Sequence, residues 1–129
     1  MFMYEALLRR AKSQSPIRVG LIGAGKFGSM FLAQVPSTPG LEVVAIADLF
    51  PDQARTTCAS IGWSKELIAQ TIFSEDAVEI MQRVELDVIV EATGDPIAGI
   101  THARHAIANR IHIVMVNVEA DVLAGSFLA

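Results

Sequence analysis

The stretch from Arg18 to Met30, RVGLIGAGKFGSM, limits what this chain can fold into more than any other. An apolar run, Val19 to Ile22, leads directly into Gly23-Ala24-Gly25-Lys26-Phe27-Gly28. That is a G-x-G-x-x-G with strand-like sequence before it and helix-like sequence after it. Gly23 permits a tight turn out of the strand. Gly25 carries no Cβ, so the backbone there can approach a pyrophosphate, and Gly28 lets the helix pack close to the strand. The unpaired N–H groups of the helix's first turn point at the phosphates, and the helix dipole favours their charge. Glycines at such spacing also serve ordinary turns, so a second signal matters. Asp48 closes the next apolar run, Leu41 to Ala47, twenty residues after Gly28. A carboxylate at that distance is placed to accept hydrogen bonds from the adenine ribose hydroxyls. The alternative for Asp48 is a loop acid that opens the following turn.

The remaining chain alternates helical and strand-like patterns. Tyr4 to Ser13 has helical spacing with Arg9, Arg10 and Lys12 turned outward, and Pro16 precedes a first strand over Ile17 to Ile22. A helix follows from Lys26 to Val35, with Met30 and Phe31 read as core, ended by Pro36 and Pro39-Gly40. Leu41 to Ala47 is the second strand, and Pro51 opens a helix to about Ser60 that carries Cys58 as a buried thiol. Ile61 to Phe73 is poorly patterned; Trp63 is placed at the sheet edge and Ala69 to Phe73 as a short third strand. Ser74 is the expected N-cap of a helix that buries Ala77, Val78, Ile80, Met81 and Val84. Leu86 to Ala92 is a fourth strand, and Ile97 to Asn109 a helix with Ile100, Ala103, Ala106 and Ile107 inward. Ile111 to Val116 is a fifth strand, and another helix starts from Ala120. Strands alternating with helices imply an α/β fold: a doubly wound parallel sheet of about five strands with right-handed crossovers.

With 129 residues there is material for one domain and one core. We expect residues 1–129 to be a dinucleotide-binding domain, with an N-terminal helix within 1–15, cut off before any catalytic domain. Hydrophobic residues make up 52% and aromatics 6%, the balance of buried Val, Ile, Leu and Ala strands. A net charge of −4 argues against a nucleic-acid partner. No run approaches the roughly 18 apolar residues of a membrane helix. The single cysteine and the charged N-terminus point to a reducing, cytoplasmic setting.

In an open α/β sheet the ligand lies beyond the carboxyl ends of the strands. The expected cofactor-binding residues are therefore Gly23, Gly25, Lys26, Phe27, Gly28, Asp48, Thr93, Gly94 and Asn117. Thr93 and Gly94 either line the nicotinamide half or simply form the turn before Pro96. The cofactor is NAD or NADP. Asp48 favours NAD, because a 2′-phosphate would meet a like charge there, while Lys26 works the other way. His102 and His105 lie three apart on a helix; they are read as surface histidines rather than metal ligands, since no third ligand is evident. The catalytic residues are unknown from the sequence.

Three stretches carry a resemblance: RVGLIGAGKFGSMFLAQ, DVIVEATGDPIAGITHARHAI and HIVMVNVEADVLAG. They resemble the N-terminal domain of homoserine-dehydrogenase-like oxidoreductases. The similarity is to the subgroup with an added C-terminal SAF-type domain, some of whose members are 1-deoxy-D-xylulose 5-phosphate reductoisomerase-like. The resemblance implies a Rossmann-type fold, an NAD(P) cofactor, a small polar substrate handled by the full-length parent, and a homo-oligomer. It also implies that this chain alone is inactive. Homoserine dehydrogenases pair the asparagine after strand five with a lysine, whereas here Asn117 is followed by Val118, which argues against homoserine itself. The alternative is a non-catalytic nucleotide-binding or oligomerisation module.

Overall fold

The computed structural model describes residues 2–13 and 15–116. The elements are α1 (Phe2–Lys12), β1 (Ile17–Ile22), α2 (Lys26–Gln34), a 3-10 turn (Val35–Ser37), β2 (Leu41–Ala47) and α3 (Pro51–Ser60). They continue with α4 (Lys65–Gln70), β3 (Ile72–Ser74), α5 (Ala77–Arg83), β4 (Val88–Glu91), α6 (Pro96–Ala108) and β5 (His112–Met115). Among the described residues the five strands form one parallel sheet in the order β3-β2-β1-β4-β5. The chain steps outward from β1 to β3 and then crosses back to β4 on the other side of β1. The switch in strand order therefore lies between β1 and β4, where a ligand crevice is expected in this fold class.

Register decides what meets at that crevice. Ile22 pairs with Ala47 on one side and Glu91 on the other, while Ala47 pairs with Ser74 and Glu91 with Met115. Five strands thus reach one level together, and Gly23, Asp48 and Ala92 leave the sheet side by side. The ladder runs one step further: Gly23 N–H donates to Ala47 O at 2.8 Å, Ala92 N–H to Ile22 O at 2.8 Å and Asp48 N–H to Ser74 O at 2.9 Å. Along β2 the pairing skips Val44, with Val19 opposite Val43 but Gly20 opposite Ala45. This irregularity resets the side-chain alternation. Val43 and Ile46 face one layer, whereas Val44, Ala45 and Ala47 face the other.

Two apolar layers follow. One face packs Leu21, Val43, Ile46 and Val90 against Leu32, Ala54, Cys58 and Trp63 from the α2–α3 side. The other packs Ile22, Val44, Ala47 and Ile89 against Ile80 and Met81 of α5 and Ala106 of α6. Helices on both faces let the central strands be apolar throughout.

Several local expectations are corrected by packing. Met30 is 62% exposed, because Gly28 and Leu32 form the buried side of α2. Trp63 does not cap the sheet edge: it is buried, and its Nε1–H donates to Leu32 O at 2.9 Å. Ser74 ends β3, and Asp76 caps α5 by accepting from Glu79 N–H. A further helix, α4, fills the poorly patterned stretch, with Ser64 as its cap. Ile107 is exposed; α6 buries Gly99, Ala103 and Ala106 instead. The fourth and fifth strands are shorter than the apolar runs that mark them. The expected helix from Ala120 lies outside the described residues. No helix among the described residues is long and apolar enough to cross a membrane.

Candidate functional site: the carboxyl edge of the sheet

The glycine loop has the geometry its composition anticipates. Gly23 has φ +92°, where an L side chain is strained, and a Cβ there would come within 2.8 Å of Ala92 O. A Cβ on Gly28 would stand 2.2 Å from Gly23 O, so the first turn of α2 can sit against the loop only without a side chain. Gly25 is different: a Cβ there would meet nothing within 4 Å. Its bareness serves no packing within the protein and leaves the backbone open to a ligand. Gly25 is also the N-cap of α2 and supplies no side-chain cap. By contrast, Ser64, Asp76 and Asp95 cap α4, α5 and α6 with their own oxygens. The first-turn N–H groups of α2 are left for an acceptor from outside the helix.

Asp48 stands next to this loop. Its Oδ2 accepts from Ala24 N–H at 2.8 Å, and its Oδ1 accepts from Phe50 N–H at 2.9 Å. An ionised carboxylate offers about four lone-pair sites, so two remain for hydroxyl donors. The two backbone bonds also fix the carboxylate's orientation. The next two residues, Leu49 and Phe50, are apolar and 78% and 65% exposed. Arg55 of α3 is engaged elsewhere, in an ion pair with Asp52 and with its guanidinium 4.9 Å from the Phe73 ring centroid. A phosphate beside Asp48 would find a like charge and two apolar neighbours.

A cavity of about 520 Å³ opens over these residues, within the usual range for small-molecule sites. Gly23, Gly25, Asp48 and Thr93 line it, together with Asp95 and His102. Lys26 and Phe27 are exposed on the first turn of α2 and do not line the cavity. Gly28 lies buried beneath the loop, and Gly94 (φ +74°) shapes the turn behind Thr93. Asn117 lies outside the described residues.

The sequence reading missed Glu91. It sits inside the apolar run VIVEAT, yet its side chain is 0% exposed. Its Oε1 accepts from Thr93 N–H at 2.8 Å and from the Thr93 hydroxyl, and its Oε2 is bonded to His102 Nδ1. Burial pushes the carboxyl up, but the bonds from His102 and Thr93 outweigh it and hold Glu91 below its ordinary value. An ionised carboxylate can only accept, so Nδ1 of His102 carries the hydrogen. His102 is thus no surface histidine. Its partner was detectable as a lone acid in a buried strand with a histidine eleven residues on, but only the fold shows that the two meet. Among the described residues no three His, Cys, Asp or Glu side chains are grouped as a metal site.

The family model of the oxidoreductases with an NAD-binding Rossmann fold, GFO_IDH_MocA, matches residues 17–116. The chain belongs to this family. Over 84 residues it is 32% identical to glycosyl hydrolase family 109 protein 1 of Akkermansia muciniphila, covering 63% of this chain and 17% of that protein. The fold is shared with a homoserine dehydrogenase from Thiobacillus denitrificans, at a TM-score of 0.72 and 22% identity over 88% of this chain and 26% of that one. It is also shared with myo-inositol dehydrogenase from Lactobacillus casei, solved with NAD(H) and myo-inositol. That match has a TM-score of 0.64 and 19% identity, over 78% of this chain and 28% of the dehydrogenase. The chain therefore spans less than a third of the length of each of these proteins. The family's cofactor is NAD, and the loop, the uncapped helix start and Asp48 fit that molecule.

Proposed function

We propose that this chain is the cofactor-binding domain of a longer oxidoreductase that transfers a hydride between NAD(H) and a small polar substrate. When bound, the dinucleotide supplies or accepts the hydride; the residues of this chain bind and orient it. The observation that carries the reading is the juxtaposition of Asp48 with the glycine loop, down to the 2.8 Å bond from Ala24 N–H to its carboxylate. In this reading Gly23, Gly25, Lys26, Phe27 and Gly28 receive the diphosphate through their backbone, and Asp48 holds the adenine ribose. Thr93, Gly94 and Asn117 serve the nicotinamide half. NAD is preferred to NADP because Asp48 is flanked by Leu49 and Phe50 rather than by a free cation.

The homoserine-dehydrogenase-like assignment is the narrower form of this proposal. The VEATGDP and VMVNVEADVLAG stretches support the branch, and the Asn117-Val118 pair argues for a substrate other than homoserine within it. A small polyhydroxylated compound suits the family's myo-inositol dehydrogenase neighbour. The homo-oligomeric state and cytoplasmic location belong to the same proposal. Calorimetric titration of the chain with NADH and NADPH tests its core. NADH should bind more tightly than NADPH, and Asp48→Asn should narrow the difference. A folded chain that takes up neither dinucleotide would sink the reading.

A further inference from the structure

Glu91 and His102, joined to each other and to Thr93, have no part in the loop-and-carboxylate account above. Its chemistry is specific. The Glu91 side chain is fully buried, every oxygen has a donor, and one donor is a ring nitrogen from α6, eleven residues further along the chain. Because Nδ1 is committed to Glu91, Nε2 is the only polar atom His102 has left. Among the described residues no buried side-chain nitrogen or oxygen lacks a partner, and Nε2 makes no hydrogen bond to them. It therefore opens onto space, and the space His102 lines is the cavity that also holds Gly23, Gly25 and Asp48.

The cavity's charges make this position matter. Asp48 enters from the end of β2, Glu75 from the loop before α5, and Asp95 from the start of α6, while Glu91 stands behind His102 at the end of β4. Among the described residues that line the cavity, His102 alone can carry a positive charge. A dinucleotide brings two more negative charges into an already acidic space. Its adenine ribose lies at Asp48 on the β2 side, so its other half extends across β1 towards β4, the strand that ends at Glu91.

We propose that His102 is a dinucleotide-binding residue and Glu91 its positioning residue: Glu91 holds the ring by Nδ1, and Nε2 donates to the ligand half over β4 when the imidazole is protonated. The assignment rests on the dinucleotide reading and deepens it. It makes the affinity for NADH fall as pH rises, because with Nδ1–H given to Glu91 only a protonated ring has a second hydrogen to donate from Nε2.

The test is fluorescence titration of NADH into the chain at about pH 6 and about pH 8, with histidine-side-chain NMR alongside. NADH binding should weaken about tenfold between the two, the scale of one charge-assisted hydrogen bond. His102→Gln should bind weakly at both and show no slope, and Glu91→Gln should lose most of the slope while keeping the ring. The NMR readout needs no variant: the His102 Nε2 signal should move on adding NADH while those of His105 and His112 stay. A wild-type affinity that is flat with pH, a slope that survives His102→Gln, or a His102 signal indifferent to NADH overturns the proposal and leaves the function standing. Failure of the wild type to bind NADH at either pH overturns both.

Discussion

At the scale of single residues, Gly25 and Gly28 separate what the ligand needs from what the fold needs. Gly28→Ala forces a methyl to within 2.2 Å of Gly23 O, and a backbone atom cannot swing aside. We expect it to destabilise the chain by ~1–3 kcal/mol, measured by urea denaturation, and to abolish NADH binding with the loop. Gly25→Ala meets open space, so its stability should stay within about 1 kcal/mol of wild type. NADH binding should nonetheless fall, because in the proposed binding mode the new methyl stands where the diphosphate would approach the backbone. Equal effects of the two substitutions on stability would contradict the geometry. Cys58 makes a simpler case. Burial pushes its thiol up to about 11, so little thiolate exists near neutrality. A disulfide reagent at about pH 8 should label the native chain far more slowly than the urea-unfolded one.

At the scale of elements, the informative joint is between β4 and α6. Asp95 caps α6 by accepting from Ile97 and Ala98 N–H at 3.0 and 3.2 Å, and Glu91 ties the same turn to His102 one helical turn further along. Glu91 is held below its ordinary value in the folded chain, so the unfolded chain takes up a proton there more readily. The stability it contributes is fully present above the ordinary value of 4.5 and is lost as pH falls through the folded value. Denaturation of wild type and Glu91→Gln across that range should show the gap between them closing towards acid. A constant gap would mean that the buried pair is not the ionised one described here. Asp95→Ala should cost ~0.5–2 kcal/mol through the lost cap, with little dependence on pH near neutrality.

At the scale of the whole molecule, two apolar layers hold five strand ends at one level, and a cavity forms where strand order reverses. A ligand bound there stabilises the folded chain by mass action, about 2.7 kcal/mol at a hundred times its dissociation constant. A thermal melt should therefore rise with NADH concentration, rise less with NADPH, and respond less to NADH in Gly25→Ala. A melt indifferent to both dinucleotides would place the cavity outside cofactor binding.

Residues close in sequence carried most of what was legible beforehand. The runs IRVGLI and LEVVAIA are buried on both faces and bounded by turn residues, so their strands have the expected limits, Ile17–Ile22 and Leu41–Ala47. The glycine loop and the acid twenty residues on are local signals of one unit, and the structure brings Asp48 against the loop through Ala24 N–H. Contacts across the sheet could not be. The three-residue strand β3 takes its identity from pairing with β2, not from its own pattern. Trp63 is buried among Leu32, Ala54 and Cys58, where a carbonyl 31 residues earlier accepts its N–H. Met30 has a core composition but sits on the side of α2 that the sheet does not reach. The skipped Val44 sets which face of β2 each side chain joins, and no local preference encodes it. Composition and short-range spacing thus determined the fold class and the tight glycine loop, since turns and periodicity are properties of neighbouring residues. Only the tertiary structure decided that an acid within an apolar strand meets a histidine on the following helix, because burial of a charge is settled by what the chain brings to it from afar.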